Sequence, residues 1–300
     1  MDWTLALAGL LIGLLVGVTG MGGGSLMTPL LVLVFGFKPT VAIGTDILHG
    51  AIFKSFGAVQ HRKLGHVHAR LALWMLAGSA PASLGGVGLS EWLERRYGEG
   101  FQDSAKVVLG VALVICGIGF LLKAFMRSHG TDLPFLLARR DRRSAIVIGV
   151  IGGFVVGLTS VGSGTFFGLA MLILYPLTAV KVVGTDIFHA AVLLWVASIG
   201  HLIGGNVDYA ATGALLVGSI PGILIGGRFT VHLPDRAMRV ALATTLFLAG
   251  TKLIDFPGAD AVLIGGIVVA LLVGAVTGIR ALRARSRSRV EAPPVAVDDG

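Results

Sequence analysis

One six-residue motif occurs twice in this chain, as Gly44-Thr45-Asp46-Ile47-Leu48-His49 and as Gly184-Thr185-Asp186-Ile187-Phe188-His189, each time inside a long apolar stretch. The same 140-residue offset pairs Gly17 with Gly157, Thr19 with Thr159, Gly22 with Gly162, Gly24 with Gly164, His61 with His201 and Pro81 with Pro221, and needs no gap from Gly17 to Gly86. An ionised group at the centre of a lipid-embedded helix costs ~2.5–3.5 kcal/mol or more, so a carboxylate and an imidazole kept twice at one register point to function. A duplicated membrane unit with charges inside it is the organisation of a transporter.

The rest of the chain agrees with a membrane setting. Of its 300 residues 55% are hydrophobic and 13% charged, with 45 glycines, too little polar surface for a soluble globule. The net charge of +8 raises nucleic acid as a partner, but the basic residues sit between apolar helices and in the tail, so no nucleic-acid partner is expected. Met1 to Gly17 has no basic leader, and the glycine-rich break after it belongs to the repeat, so a cleavable signal is not expected. The single cysteine, Cys116, lies in an apolar run and reads as a packed core residue, leaving no disulfide framework and no thiolate metal site.

Apolar blocks in the first half run Trp3 to Val18, Leu26 to Phe35, Thr40 to Gln60, Ala69 to Leu93 and Ala105 to Phe125. The second half repeats them as Ala145 to Leu158, Phe166 to Leu174, Ala179 to Gly200, Ala210 to Val231 and Arg236 to Ile254, followed by an unmatched Ala261 to Ala281. A span needs ~20 apolar residues, and the second block of each half is half that. Each opening pair therefore reads as a helix-break-helix hairpin, or else as a span followed by a tilted or interfacial segment. Basic residues mark the segments Gln60 to Arg70 and Arg127 to Arg143 as cytoplasmic, whereas Glu91 to Asp103 carries four acidic residues against two arginines and fits outside. In the second half the pattern is reversed: Gly200 to Tyr209 has no Lys or Arg, Arg228, Arg236 and Arg239 mark a cytoplasmic loop, and Arg280 to Arg289 a cytoplasmic tail.

The expected architecture is an all-α polytopic integral membrane protein. It has two inverted repeats, each a broken helical hairpin plus three spans, and one extra C-terminal helix. The divisions are residues 1–126 for the first repeat, 127–143 for a basic cytoplasmic linker, 144–254 for the second repeat, 255–282 for the extra helix and 283–300 for a disordered cytoplasmic tail.

Three groups of residues carry candidate chemistry. The breaks, Thr19 with Gly22, Gly23, Gly24 and Ser25, and Thr159 with Gly162, Ser163, Gly164 and Thr165, interrupt helices where backbone is tolerated only if protein or water satisfies it. Ser25 and Thr165 are good N-cap types, so free amides at the start of the following helix form an anion-binding arrangement; close helix packing by small residues is the plainer reading. In the paired motif Asp and His share a helix face at i and i+3, beside Thr45 or Thr185. Asp46, His49, Asp186 and His189 then serve proton coupling, brace the breaks, or converge on a divalent metal. Lys54, on the Asp46 helix, is unmatched by Leu194 and either serves an anion site or snorkels to the interface. His61 and His201 read as interface residues. Pro81 and Pro221 should kink or unwind their helices, with Gly78-Ser79 and Gly218-Ser219 relieving the strain or lining a cavity. A serine-hydrolase reading of Gly162-Ser163-Gly164 lacks the strand-turn-helix setting of a nucleophile elbow, so no enzyme and no cofactor are expected.

The paired breaks, the G-T-D-I-x-H helices and the duplication together resemble the sulfite exporter TauE/SafE family of membrane proteins, over about Leu5 to Gly278. That resemblance implies a bacterial-type inner-membrane secondary carrier of small sulfur-containing or organic anions, driven by the proton gradient, with the break amides around Gly22 to Ser25 and Gly162 to Thr165 at the anionic head and Thr45 and Thr185 nearby. The competing expectation is a divalent metal carrier or channel built on the four motif side chains.

Overall fold

The computed structural model describes residues 2–19, 26–126, 135–229 and 235–258, and every regular element among them is helical. The first glycine break (20–25), most of the linker (127–134), the extra C-terminal segment from 259 and the tail lie outside the described residues. In chain order the helices are α1 (Trp3–Thr19), α2 (Met27–Leu33), α3 (Pro39–Lys63), α4 (Ala69–Tyr97), α5 (Glu99–Phe125), α6 (Arg139–Thr159), α7 (Phe166–Leu174), α8 (Ala179–Gly204), α9 (Tyr209–Phe229) and α10 (Asp235–Leu253). Four of them, α4, α5, α6 and α8, are long and apolar enough to cross a membrane by length and composition. With 7 and 9 residues, α2 and α7 are far too short to do so, as expected.

Local chemistry sets the boundaries. Proline opens α3, where a missing N–H costs nothing. Matching glycines close α3 and α8: Gly65 (φ 71°) and Gly205 (φ 75°) adopt the left-handed conformation, and His66 and Asn206 donate back to the carbonyls of His61 and His201. Two boundaries differ from expectation. The acidic segment 91–103 is helical on both sides of a single Gly98, with Glu94 accepting from Gln102 (2.8 Å) and Thr40 (3.1 Å). Helix α6 begins inside the supposed linker, because Asp141 caps it by accepting from the amide of Ala138 (2.8 Å) and the four arginines that follow Ala138 extend the helix. Nor does proline unwind the long helices: α4 stays helical through Pro81 and α9 through Pro221.

Helix packing carries the duplication into three dimensions. Helix α1 packs on α9 of the other repeat, and α6, the repeat mate of α1, packs on α4, the mate of α9; α4 likewise meets α8 as α9 meets α3. The contacts match residue by residue. A Cβ at Gly9 would lie 2.3 Å from the carbonyl oxygen of Leu215 and one at Gly149 2.2 Å from that of Met75; Gly13 against Ser219 (2.4 Å) and Gly153 against Ser79 (2.3 Å) repeat the relation. Small residues here let helix backbones touch, which is how helices associate when lipid removes the hydrophobic drive between them.

Helix α3 crosses its mate α8, and α5 crosses its mate α10. Residues there meet their own counterparts: Trp195 donates to Ser55 (3.0 Å), and Gly110 and Gly250 each face the other's carbonyl. Self-pairing of this kind occurs only on a pseudo-two-fold axis. It also extends the 140-residue correspondence beyond Gly86, to Gly110 and Gly250. Both large apolar clusters draw on both halves, and residues through Pro257 form one unit, so the repeats are interlaced rather than separable domains.

Candidate functional site

The described glycine break joins α6 to α7 through Ser160 in the left-handed conformation (φ 60°) and two glycines, Gly162 (φ 110°) and Gly164 (φ 139°), whose backbone no other residue adopts without strain. Thr159 ends α6 by donating to the Val155 carbonyl (2.7 Å) and accepting from the Val161 amide (3.2 Å). The amides of Gly164, Thr165 and Phe166 all turn onto the carbonyl of Gly162, at 2.9, 3.3 and 3.1 Å. The free amides expected at Gly164 and Thr165 for an anion are therefore used within the turn, and Thr165 makes no side-chain cap.

Positive charge reaches the break from side chains instead. Lys54, only 3% exposed, donates from Nζ to the Ser163 carbonyl (2.9 Å) and to Ser163 Oγ (2.8 Å). It does not snorkel. Lys123 of α5, also 3% exposed, approaches the carbonyl of Gly164 (3.5 Å). Negative charge comes from both motif copies. Asp46 Oδ2 accepts from Thr28 (2.5 Å) and from Ser160 (2.8 Å), so the first motif braces the second repeat's break. Asp186 lies beside Gly168 of α7, where a Cβ would stand 3.7 Å from Asp186 Oδ2 and 2.5 Å from Lys123 Nζ. Lys54 is in the field of both carboxylates and Lys123 in that of Asp186. Each aspartate keeps Oδ1 buried with no hydrogen-bond partner among the described residues.

Four buried ionic side chains, two of each sign, thus gather at one break. Desolvating any one alone costs several kcal/mol, so they are tolerable only as a neutral set. Spare acceptor capacity in such a set marks a place where a ligand or a proton enters.

The motif histidines and threonines have other partners. His49 Nε2 bonds Ser219 Oγ and His189 Nε2 bonds Ser79 Oγ, both at 2.9 Å, tying α3 to α9 and α8 to α4 by the same contact. His49 stacks on Phe53, and His189 meets the edge of Phe167 at 4.3 Å between centroids. Thr45 accepts from the Asp208 amide (3.0 Å) and Thr185 from the His68 amide (2.9 Å), again a matched pair. Ser79 and Ser219 thus serve helix packing and the histidines, beyond any relief of proline strain. His201 is buried within the protein: it is 1% exposed and meets the Gly157 carbonyl (3.3 Å) just before the break. Among the described residues no three His, Cys, Asp or Glu side chains gather to hold a metal, which leaves the metal-carrier reading without a ligand set. Cys116 is buried.

Ser79→Ala and Ser219→Ala should each lower the melting stability of the detergent-purified protein by about 1–3 kcal/mol, because each leaves a buried imidazole nitrogen unpaired. Equal losses are expected from the two; a loss at one site alone would show that the matched bonds do not carry matched weight.

Of the residues singled out in the sequence, Asp46, Lys54, Ser163, Gly164 and Asp186 come together around the break. Thr45, His49, Thr185 and His189 are turned to neighbouring helices and loops. Thr19 ends α1, while Gly22, Gly23, Gly24 and Ser25 lie outside the described residues. Lys123, Thr28 and Ser160 were missed. For Lys123 one signal was present: it is the lone charge in an apolar run from Val107 to Phe125.

Comparison with known proteins agrees with this picture. The sulfite exporter TauE/SafE family model matches residues 5–253. The chain is 36% identical over 256 residues to the probable membrane transporter protein YjnA of Bacillus subtilis, covering 85% of this chain and all of that protein. It is 25% identical over 244 residues to YdhB of the same organism (81% and 96% covered) and 24% identical over 247 residues to YfcA of Escherichia coli K12 (78% and 82%), both also named probable membrane transporter proteins. No solved structure matches the chain. With four apolar helices of spanning length, an interlaced duplication and a family match over nearly the whole chain, this is a multi-pass membrane transporter protein of the sulfite exporter TauE/SafE family.

Proposed function

We propose that the protein is a secondary carrier of a small sulfur-containing or organic anion, such as sulfite or a sulfonate, coupled to protons and working by alternating access. The observation that carries this reading is Lys54: a buried ammonium held on Ser163 inside a broken helix, unmatched in the other repeat and flanked by two aspartates. An oxyanion entering there puts its own oxygens in place of those of Ser163 on Lys54 and of the Gly164 carbonyl on Lys123, with the Ser163 hydroxyl as a further donor. The glycines of the break let the backbone come close. In this reading the repeats are inverted in the membrane, as the loop charges suggest, and the C-terminus faces the cytoplasm of a bacterial-type inner membrane. A site on the repeat interface beside a discontinuous helix is where such carriers bind substrate.

Proteoliposomes holding the purified chain should take up sulfite or a simple sulfonate, and an inward proton gradient should raise the accumulated level several-fold. A panel of sulfite, methanesulfonate, isethionate and sulfoacetate identifies the preferred head group. If no member of the panel is taken up or bound, the anion assignment fails; uptake indifferent to the gradient removes the proton coupling alone.

A further inference from the structure

The two copies of the motif place the same carboxylate in different surroundings. Asp46 accepts from the hydroxyls of Thr28 and Ser160. Their repeat mates, 140 residues away, are Gly168 and Gly20, so Asp186 is denied both hydroxyls by the sequence itself. The space that a side chain on residue 168 would fill is taken by the ammonium of Lys123. Asp46 is therefore supported by two neutral donors as well as by the field of Lys54, and Asp186 by the field of the cations alone.

The ionisable groups around Asp186 can be named element by element. Helix α3 brings Lys54 and Asp46, and α5 brings Lys123. His189, one turn further along α8, is bonded to Ser79 of α4. Helix α7 and the break between α6 and α7 contain no ionisable side chain.

We infer that Asp186, and not Asp46, takes up a proton when an anion binds to Lys54 and Lys123, so that each monoanion enters the site with a proton. This rests on the anion reading above. With two cations and two carboxylates the empty site is neutral. A bound monoanion would leave a net negative charge in a dry interior, at a cost of several kcal/mol. It also draws the ammoniums away from Asp186, whose charged form then loses its support, whereas Asp46 keeps its two hydroxyl donors. A proton from the aqueous side restores neutrality on Asp186, and no bond other than its O–H is made. Anion and proton then promote each other's binding by the same factor, as linkage requires. Transport by this route is electroneutral and responds to the pH gradient rather than to the membrane potential.

Calorimetry in buffers of different ionisation enthalpy counts the protons taken up as methanesulfonate, a monoanion throughout the neutral range, binds to the purified full-length chain. The wild type should take up about one proton per anion bound, while Asp186→Asn should bind with no uptake and with an affinity that no longer varies with pH. Asp186→Glu should keep the uptake with a displaced pH midpoint, which decides the matter if the asparagine variant does not fold. Uptake that persists in Asp186→Asn, a pH midpoint unmoved in Asp186→Glu, or a folded Asp186→Asn that no longer binds would each overturn the assignment. Binding to the wild type without uptake overturns it while leaving the anion reading intact; no binding by any probe oxyanion overturns both.

Discussion

Gly153→Leu should abolish the folded, monodisperse protein. Even a Cβ at this position would lie 2.3 Å from the carbonyl oxygen and 2.5 Å from the Cα of Ser79, so the obstacle is the backbone of α4 rather than a side chain able to turn aside. Overpacking a tight core costs about 1–3 kcal/mol when side chains can move; here α6 must move bodily off α4, so the cost lies at or above the upper end of that range. The displacement also pulls Ser79 away from His189. Gly85→Leu and Gly88→Leu, on the same α4 but with nothing within 4 Å of the added Cβ, should leave stability within about 1 kcal/mol of the original, since a glycine in a helix interior is itself a weakness. Size-exclusion profiles and melting curves in detergent read the difference. A Gly153→Leu protein that melts like the original would mean that α4 and α6 do not touch backbone to backbone.

The second large effect is expected at Lys54. Replacing it by leucine, the residue its repeat mate Leu194 already is, leaves two buried carboxylates beside one remaining lysine, and breaking a buried charge set in this way costs about 3–5 kcal/mol. Anion affinity should fall at least about 30-fold, the equivalent of about 2 kcal/mol, because a desolvated ammonium facing an oxyanion is lost outright. Lys54→Arg should not restore it, since the longer planar guanidinium cannot place one donor on both oxygens of Ser163 in the same space. The double variant Lys54→Leu with Asp186→Asn removes one charge of each sign. It should recover most of the stability and none of the affinity, which separates charge balance from ligand contact. Unchanged binding in Lys54→Leu, measured with methanesulfonate, would take Lys54 out of the site.

Much of the fold was legible because the signals are local. The duplication shows as identical residues at one offset, the breaks as glycine runs between apolar blocks, and the inability of α2 and α7 to span as simple shortness. The boundary errors were local too: charged residues at 91–103 and 139–143 read as loop from their polarity, yet these residue types are good helix formers, and only Gly98 interrupts the first stretch.

The site was less legible. Asp46 and Asp186 look the same in the sequence, as do His49 and His189, and nothing near them says which partner each will find. Ser79 and Ser219 sat beside prolines and invited an explanation from the proline. Lys123 sat near a helix end, where a long basic side chain ordinarily reaches for the interface. The break's amides pointed to an anion in sequence, but three of them close on one carbonyl once the turn forms.

By itself the sequence determined that this is a duplicated helical membrane protein, which helices break and where costly polar groups lie in lipid. Those properties follow from composition, glycine placement and a constant offset, all of which act within a few residues or between equal copies. Only the tertiary structure decided that Asp46 holds the other repeat's break, that Lys54 and Lys123 meet there, and that Asp186 faces cations where Asp46 faces hydroxyls. The physical reason is the interlacing of the repeats about their pseudo-two-fold axis. It sets each motif against helices more than a hundred residues away, where the small differences between the two copies, Thr28 against Gly168 and Lys54 against Leu194, turn a symmetric scaffold into one asymmetric site.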